Sequence, residues 1–220
     1  KLDAGISGYK QTYWGGSDDN NGYDTAVYAA ALTFNPTSPV RDANGNYTED
    51  PSRTAYRNPV ALLNEVDGHN WGTFMRMFGA VTVSPINGLN LKYLYSSSIY
   101  NEARGYYQTS KHYESYRNGR TGFASRGTNR TVDDLSEFTV DYHKIFAKDH
   151  SLNVLAGYSW QRHGYQFYWM QNWDFPTDAY SFNNMGAGAA LSNGEAKESS
   201  TRTENTLIGF FTRFNYAYKG

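Results

Sequence analysis

Residues 207–218 read Leu207-Ile208-Gly209-Phe210-Phe211-Thr212-Arg213-Phe214-Asn215-Tyr216-Ala217-Tyr218. From Ile208 onward every second side chain is apolar or aromatic except Thr212, and the intervening positions carry small, polar and charged groups together with Phe211. A period of two is typical of a β-strand with one apolar face, whereas an amphipathic helix repeats every 3.6 residues. A strand of this length with one apolar face is long enough to cross a membrane. This stretch therefore predicts a membrane-spanning strand.

The same alternation recurs earlier in the chain. It is clear in residues 89–99, 136–146 and 151–161, less regular in 70–83 because Phe74 and Phe78 fall on the polar side, and weakest in 1–13. We predict six strands, at about 1–13, 70–83, 89–111, 122–146, 151–168 and 201–218.

Short and long connections alternate along the chain. Asn87-Gly88 is a strong signal for a tight hairpin, and residues 147–150 leave room only for another tight turn. The other connections, at about 14–69, 112–121 and 169–200, are long, and Thr25 to Leu32 could form a short helix. Short turns on one side and long loops on the other are typical of an antiparallel transmembrane β-barrel. Because six strands are too few to close a barrel, we expect the chain to be part of a larger one.

Composition narrows the function classes. The 220 residues include 20 Tyr, 12 Phe and 5 Trp, which argues against disorder, and the longest apolar run is too short for a transmembrane helix. The net charge is -1, so we expect no nucleic-acid partner. The absence of cysteine excludes disulfides and thiolate metal sites.

No residue pattern predicts bond chemistry. Asp133 and Asp134 are adjacent, so on a strand they would point to opposite faces rather than share a catalytic cleft. The five histidines lack metal-ligand spacing, and the run from Asp42 to Asn46 lacks the Gly and Glu of a calcium loop, which favours a turn. We expect no enzyme activity, no metal and no cofactor.

Aromatic residues near the predicted extracellular ends are the candidates for substrate binding, since sugar rings stack on aromatic faces. The same rings could instead form the interfacial belt or pack the loops, and these alternatives together are favoured. The candidate residues are Tyr165, Phe167, Tyr168, Trp169, Trp173, Phe175, Tyr13 and Trp14.

Four phrases carry a family resemblance. They are residues 34–40 (Phe-Asn-Pro-Thr-Ser-Pro-Val) with the Asn-Pro-Val-Ala phrase at 58–61, residues 85–89, residues 150–158 and residues 207–216. Their order and spacing over nearly the whole chain resemble the SusC/RagA family of TonB-linked outer-membrane proteins.

The resemblance implies a 22-stranded barrel in the bacterial outer membrane that imports oligosaccharides or oligopeptides. It implies as partners a SusD-like surface lipoprotein and, through a plug domain that residues 1–220 do not include, the TonB-ExbB-ExbD complex. Outer-membrane lipid would surround the wall.

Two other classes remain open from the residues alone. A soluble β-sandwich carbohydrate-binding module would pack Phe210, Phe214, Tyr93 and Val154 together in a dry interior. An extracellular glycoside hydrolase would need a pair of carboxyl groups across a groove. A barrel wall would instead expose those apolar side chains to lipid.

Overall fold

The computed structural model describes residues 1–14, 27–50 and 57–219, and these form one antiparallel sheet. Within this part of the chain six strands lie side by side in chain order, so each pairs with its sequence neighbour. The strands are β1 (Leu2–Trp14), β2 (Val66–Ile86), β3 (Leu89–Gln108), β4 (Phe123–Phe146), β5 (His150–Trp173) and β6 (Lys197–Tyr218). The predicted all-β, antiparallel fold is confirmed.

Several strands are longer than predicted at the end that carries the long loops. β2 begins at Val66 rather than near residue 70, β5 continues to Trp173 rather than residue 168, and β6 begins at Lys197 rather than near residue 201. Backbone pairing continues there without an apolar face, because a ladder of hydrogen bonds does not depend on which side chains it carries. The alternation therefore ends before the strands do.

The register separates the side chains into two faces. Tyr93, Phe138, Tyr158 and Phe210 are successive cross-strand partners, so they lie in one row on the same face. We call this the outer face and the opposite one the inner face. On the outer face the rings point away from the protein, with Phe210 82% and Phe214 70% exposed.

Such exposure contradicts the soluble sandwich, in which Phe210, Phe214, Tyr93 and Val154 would meet in a dry core. Tyr93 is also exposed, and no second sheet among the described residues covers it. Contiguous apolar rows of this kind need an apolar environment, which lipid supplies. The inner face at the same height is polar, with Lys92, Glu137 and Arg213 among its residues.

The apolar part of the outer face has a definite height. On β5 it runs from His150, beside the short turn, to Trp160. These ten steps, at about 3.3 Å each and a tilt of about 40°, span roughly 25 Å along the membrane normal. That value matches the apolar band of transmembrane barrels. Tyrosines on β6 mark the lower rim, and Tyr95 and Trp160 mark the upper one, as expected for interfacial belts.

The two short connections are tight turns with left-handed backbone. Gly88 has φ of 83°, which fits the predicted Asn-Gly hairpin. Ala147 and Lys148 have φ of 49° and 65° in a three-residue turn that joins the paired residues Phe146 and His150. Both turns lie at the end of the sheet opposite the long connections.

The long connections contain short helices. They are α1 (Val27–Thr33) and α2 (Pro59–Asn64) between β1 and β2, α3 (Tyr113–Arg117) between β3 and β4, and α4 (Ala189–Ser192) before β6, with 3₁₀ turns at Asp178–Asn183 and Met185–Ala187. The helix predicted from Thr25 begins at Val27 within the described residues. No described helix has the length and apolar character needed to cross a membrane.

The Asn-Pro-Val-Ala phrase has a structural role in the first long connection. The Asn58 side chain accepts hydrogen bonds from the backbone N–H groups of Val60 and Ala61, and Pro59 occupies the first helical position, so the phrase starts α2. The Asn58 amide also donates to the carbonyls of Val40 and Thr48, at 2.9 and 3.3 Å. The fully buried Asn58 thus fastens α2 to the preceding turn.

The turn from Asp42 to Asn46 follows the prediction. The Asp42 carboxylate accepts the backbone N–H groups of Asn44 and Asn46, at 2.8 and 2.9 Å. A carboxylate occupied by two backbone donors closes a polar turn by itself. No cluster of metal-ligating side chains occurs among the described residues.

Candidate substrate-binding site

A row of aromatic rings crosses the inner face above the apolar belt. Tyr9 pairs with Phe74, Phe74 with Tyr100, and Tyr100 with Thr131, whose partner on β5 is Tyr165. Antiparallel register puts directly opposed side chains about 5 Å apart on one face. We call Tyr9, Phe74, Tyr100 and Tyr165 the ring row. It extends over five strands.

Neighbouring rings on this surface stack on one another. Tyr9 stacks on Phe74 with centroids 5.2 Å apart and planes at 22°, and Tyr165 stacks on Phe167 at 6.5 Å and 12°. Gly72 makes room for Tyr100, because a Cβ at position 72 would lie 2.9 Å from the Tyr100 hydroxyl. Tyr9 is 53% exposed and the other rings are half-buried, so a ligand could reach them.

Charged groups of both signs flank the ring row. On its extracellular side the buried Glu102 carboxylate accepts hydrogen bonds from Arg104 at 3.0 Å and from the Asn129 amide at 2.7 Å. On its membrane side Asp133 pairs with His163 at 2.6 Å. Buried and paired, Glu102 is a fixed acceptor, whereas the Asp133–His163 pair is exposed to the lumen.

A groove of about 450 Å³ runs beside the ring row on its membrane side. Arg76, Asp133, Gln161, His163 and Asn205 are among the residues that line it. Rings at one edge and hydrogen-bonding groups along the floor suit an elongated polar ligand, because ring faces contribute contact area and the polar groups fix orientation. The arrangement contains the elements of a binding surface.

The predicted binding residues divide between the two faces. Tyr165, Phe167 and Trp169 lie on the inner face of β5, while Tyr168 lies between them on the outer face, opposite Thr128. The structure thus puts these four residues in a strand. Tyr13 and Trp14 end β1, and their side chains lie outside the described part of the structure.

Trp173 and Phe175 are buried at the top of the sheet. Trp173 packs with Tyr106, Phe123 and Ala190, while Phe175 contacts Tyr107 edge to face at 5.6 Å. In this structure they hold the last long connection against the strands.

Asp178 reinforces that attachment. Its carboxylate accepts the Tyr107 hydroxyl at 2.8 Å and the Ser110 backbone N–H at 2.9 Å, so it joins the connection before β6 to the one after β3. Six of the eight predicted rings thus have assigned positions. Tyr165, Phe167 and Trp169 are half-buried on the inner face, and Tyr168 is exposed on the outer face.

Sequence reasoning missed Tyr9, Phe74, Tyr100, Glu102 and Arg104. Phe74 offered a signal, because it interrupts the polar side of the 70–83 alternation. An aromatic residue on the polar side of a barrel strand indicates a contact within the lumen, since it gains nothing from lipid there. The remaining four residues reach the site through the register of strand pairing, which no local sequence pattern indicates.

Comparison with known proteins gives relatives of one kind. The chain is 30% identical over 215 residues to TonB-dependent receptor P3 of Formosa agariphila, covering 97% of this chain and 20% of that protein. TonB-dependent receptor P26 of the same organism is 25% identical over 212 residues, with 92% and 20% covered. The chain thus spans about one fifth of the length of these relatives. No protein-family model matches.

Solved structures show the same fold. The RagAB peptide importer in its closed-closed state aligns with a TM-score of 0.73, and the RagAB peptide transporter with 0.74; each is 20% identical, with 99% of this chain and 24% of that chain covered. The predicted resemblance to TonB-linked outer-membrane proteins is confirmed. So are the fold, a segment of an antiparallel transmembrane β-barrel, and the outer-membrane location. The relatives carry the names of receptors and importers.

Proposed function

We propose that this segment forms part of the wall and mouth of a TonB-dependent importer, and that the ring row contacts the cargo. The observation that carries the proposal is the combination of two faces on one sheet: an outer face of membrane height and an inner face with accessible rings beside a polar groove. A wall that only separated lipid from water would not need rings on its water-filled side.

The cargo that this surface suits best is an elongated oligomer, either an oligosaccharide or an oligopeptide. Stacked rings fit the apolar faces of sugars, which favours an oligosaccharide. Fixed charges of both signs at Glu102, Arg104 and Asp133 fit the termini and side chains of a peptide. The fold shared with a peptide importer supports an oligopeptide.

The proposal includes two partners. A SusD-like surface lipoprotein would meet the extracellular connections, and TonB with ExbB and ExbD would supply energy through a plug domain in the complete protein. The family resemblance supports both partners, and the relatives named as TonB-dependent receptors support the TonB partner. The described residues contribute the extracellular side of this assembly through α1 to α4.

The test compares two neighbouring tyrosine positions in the full-length protein. Tyr165→Ala removes a ring from the inner face, and Tyr168→Ala removes one from the outer face of the same strand. We expect Tyr165→Ala to weaken cargo binding about tenfold, as for the loss of a central aromatic contact, and Tyr168→Ala to leave it unchanged. Calorimetric titration with glycan and peptide libraries measures both. Equal effects of the two substitutions would exclude the ring row as the binding surface.

Two further measurements separate the cargo classes and the energy source. Binding of a charged peptide should weaken as salt rises and after Asp133→Asn, whereas binding of a neutral glycan should change little. Uptake by cells should stop when TonB is deleted, although binding to the purified protein persists. Uptake that continues without TonB would refute active import while leaving the binding surface intact.

A further inference from the structure

The outer face carries a second groove just above the apolar belt. It has a volume of about 310 Å³, and its lining includes Arg130, Arg162, Arg202, Gln166 and Glu204. All five are outer-face positions, since they share rows with Asn101, Asp134 and Gly164. Tyr165 and Thr203, whose positions belong to the inner face, also line it. The five outer-face side chains therefore distinguish this groove from the surface that we assign to cargo.

The floor of this outer-face groove is a glycine. Gly164 lies between Val132 on β4 and Glu204 on β6, and a Cβ there would meet only the Val132 carbonyl, at 3.9 Å. A side chain would therefore fit without a clash, yet none is present. The missing side chain is what opens a space between the arginines.

The three arginines differ in how they are held. Asp134 is buried and accepts two bonds from Arg162, at 3.0 and 2.5 Å, as well as the Ser97 hydroxyl at 2.7 Å. Arg202 lies 3.6 Å from Glu204. The Arg130 side chain makes no hydrogen bond or ion pair with the rest of the described chain. Three guanidinium groups against two carboxylates leave an excess positive charge, with Asp134 fixing the position of Arg162.

The height of the groove places it among lipid headgroups. Gly164 is four residues beyond Trp160, the upper rim of the belt, which is about 13 Å along the strand and roughly 10 Å along the membrane normal. Side chains at this depth meet the polar zone of the outer leaflet rather than hydrocarbon. Guanidinium groups bind phosphate through paired hydrogen bonds, so phosphate is the anion that this position favours.

A second depression continues the groove away from the membrane. It measures about 470 Å³, shares Arg130 and Gln166 with the first, and is lined also by Trp71, Asn101 and Tyr168. Aromatic faces beside amide groups suit a sugar. A phosphate site that leads into a sugar-type surface matches one ligand, a glycolipid whose sugar headgroup is phosphorylated.

We propose that Arg130, Arg162 and Arg202 bind the headgroup phosphate of a phosphorylated glycolipid in the outer leaflet, with Gly164 as the floor of the site. Trp71 and Tyr168 contact the adjoining sugar. The bound lipid lines the outside of the wall at the height where the apolar belt ends. Its role is separate from cargo binding, so loss of one need not affect the other.

The experiment uses the full-length protein in detergent and native mass spectrometry. The probe is a bisphosphorylated lipid A, with the same lipid after phosphatase treatment and inorganic phosphate as comparison ligands. We expect the phosphorylated lipid to bind in preference to the dephosphorylated one, and inorganic phosphate at millimolar concentration to leave it bound. Equal retention of both lipids, or displacement by inorganic phosphate, would overturn the assignment to a lipid headgroup.

Three variants test the residues. Arg130→Gln combined with Arg202→Gln should lower lipid affinity about tenfold, the scale of lost charge-assisted hydrogen bonds. Gly164→Leu should lower it similarly, although every charge remains, because the leucine occupies the floor. The matched control is Lys144→Gln, which removes a positive charge from the outer face near the opposite leaflet and should change nothing.

A gel-mobility shift on heating establishes that each variant is a folded barrel. With folding established, wild-type lipid affinity in either the double variant or Gly164→Leu contradicts the site. A decrease in Lys144→Gln equal to that in the double variant would also contradict it, since it would indicate attraction by net charge alone.

Discussion

Replacing Phe214 by arginine tests the assignment of the two faces most directly. Phe214 lies in the row with Tyr142 and Val154, about halfway up the apolar belt. It leaves 70% of its surface outside the protein, so an aromatic side chain of about 200 Å² gives roughly 140 Å² in contact with hydrocarbon. At about 25 cal/mol per Å², this contact stabilises the inserted barrel by roughly 3.5 kcal/mol.

An arginine at this height loses that contribution and adds a cost of its own. A positive charge on the lipid face near the bilayer midplane costs about 2–4 kcal/mol, so Phe214→Arg should destabilise the barrel by roughly 5.5–7.5 kcal/mol in total. The neighbouring substitution Asn215→Arg introduces the same side chain on the inner face, next to Asn153 and beside Arg213. In a water-filled lumen it should cost less than about 1 kcal/mol.

The assay is urea unfolding of the full-length protein in lipid vesicles, with the folded fraction read from heat-dependent gel mobility. Phe214→Arg should fail to insert or should unfold at much lower urea, and Asn215→Arg should behave like the wild type. Similar losses for both substitutions would refute the division into faces. Loss only in Asn215→Arg would mean that the faces are reversed.

Two more predictions concern the extracellular connections. Asn58→Ala should destabilise α2 and the preceding turn by about 1–2 kcal/mol, because it removes the helix cap and two hydrogen bonds to backbone carbonyls. The control, Asn64→Ala, should have little effect. Limited proteolysis of the connection between β1 and β2 measures both. Burial, aided by the positive charge of Arg57, lowers the pKa of His112 from 6.5 to about 4. The unfolded loop therefore binds a proton below about pH 6.5 while the folded loop does not, so loop stability should fall between pH 6.5 and 4 by up to about 1.4 kcal/mol per pH unit. His112→Asn, which keeps a cap acceptor for α3, should remove this dependence in hydrogen-exchange rates corrected for intrinsic pH effects; an unchanged slope would exclude His112 as its source.

The sequence predicted those features that lipid imposes. Every second residue of 207–218 must be apolar because hydrocarbon lies on one side, and this requirement gives the strand, its face and its approximate length. The Asn87-Gly88 turn follows equally from local backbone preference, as Gly88 adopts positive φ. The opposite faces of Asp133 and Asp134 follow from strand geometry alone, and their separate partners, His163 and Arg162, agree with it.

Prediction from the sequence was incomplete beyond the membrane, where lipid no longer requires an apolar face. Above Trp160 both faces of the strands meet polar surroundings, so Tyr165 to Trp173 no longer alternate and the sequence predicts a loop from residue 169. The same rings could not be divided into ligand contacts and packing residues, since Trp173 differs from Trp169 only in what covers it. Assembly of the ring row from Tyr9, Phe74 and Tyr100 depends on long-range register. A single sequence specifies that register through pairing energies rather than through any local pattern.

The extension of the strands beyond the membrane explains why the ring row lies on strands rather than on the long connections. From Trp160 to Trp173 β5 rises roughly 30 Å above the belt, while neighbouring strands continue the ladder on both sides. Tyr165 and Phe167 therefore project from a paired strand, and Asp178 and Trp173 fasten the connection above them. Side chains held on a sheet keep their separations when a ligand arrives, so less conformational entropy is lost on binding. Changes in the loops should accordingly alter access to the ring row more than its intrinsic affinity.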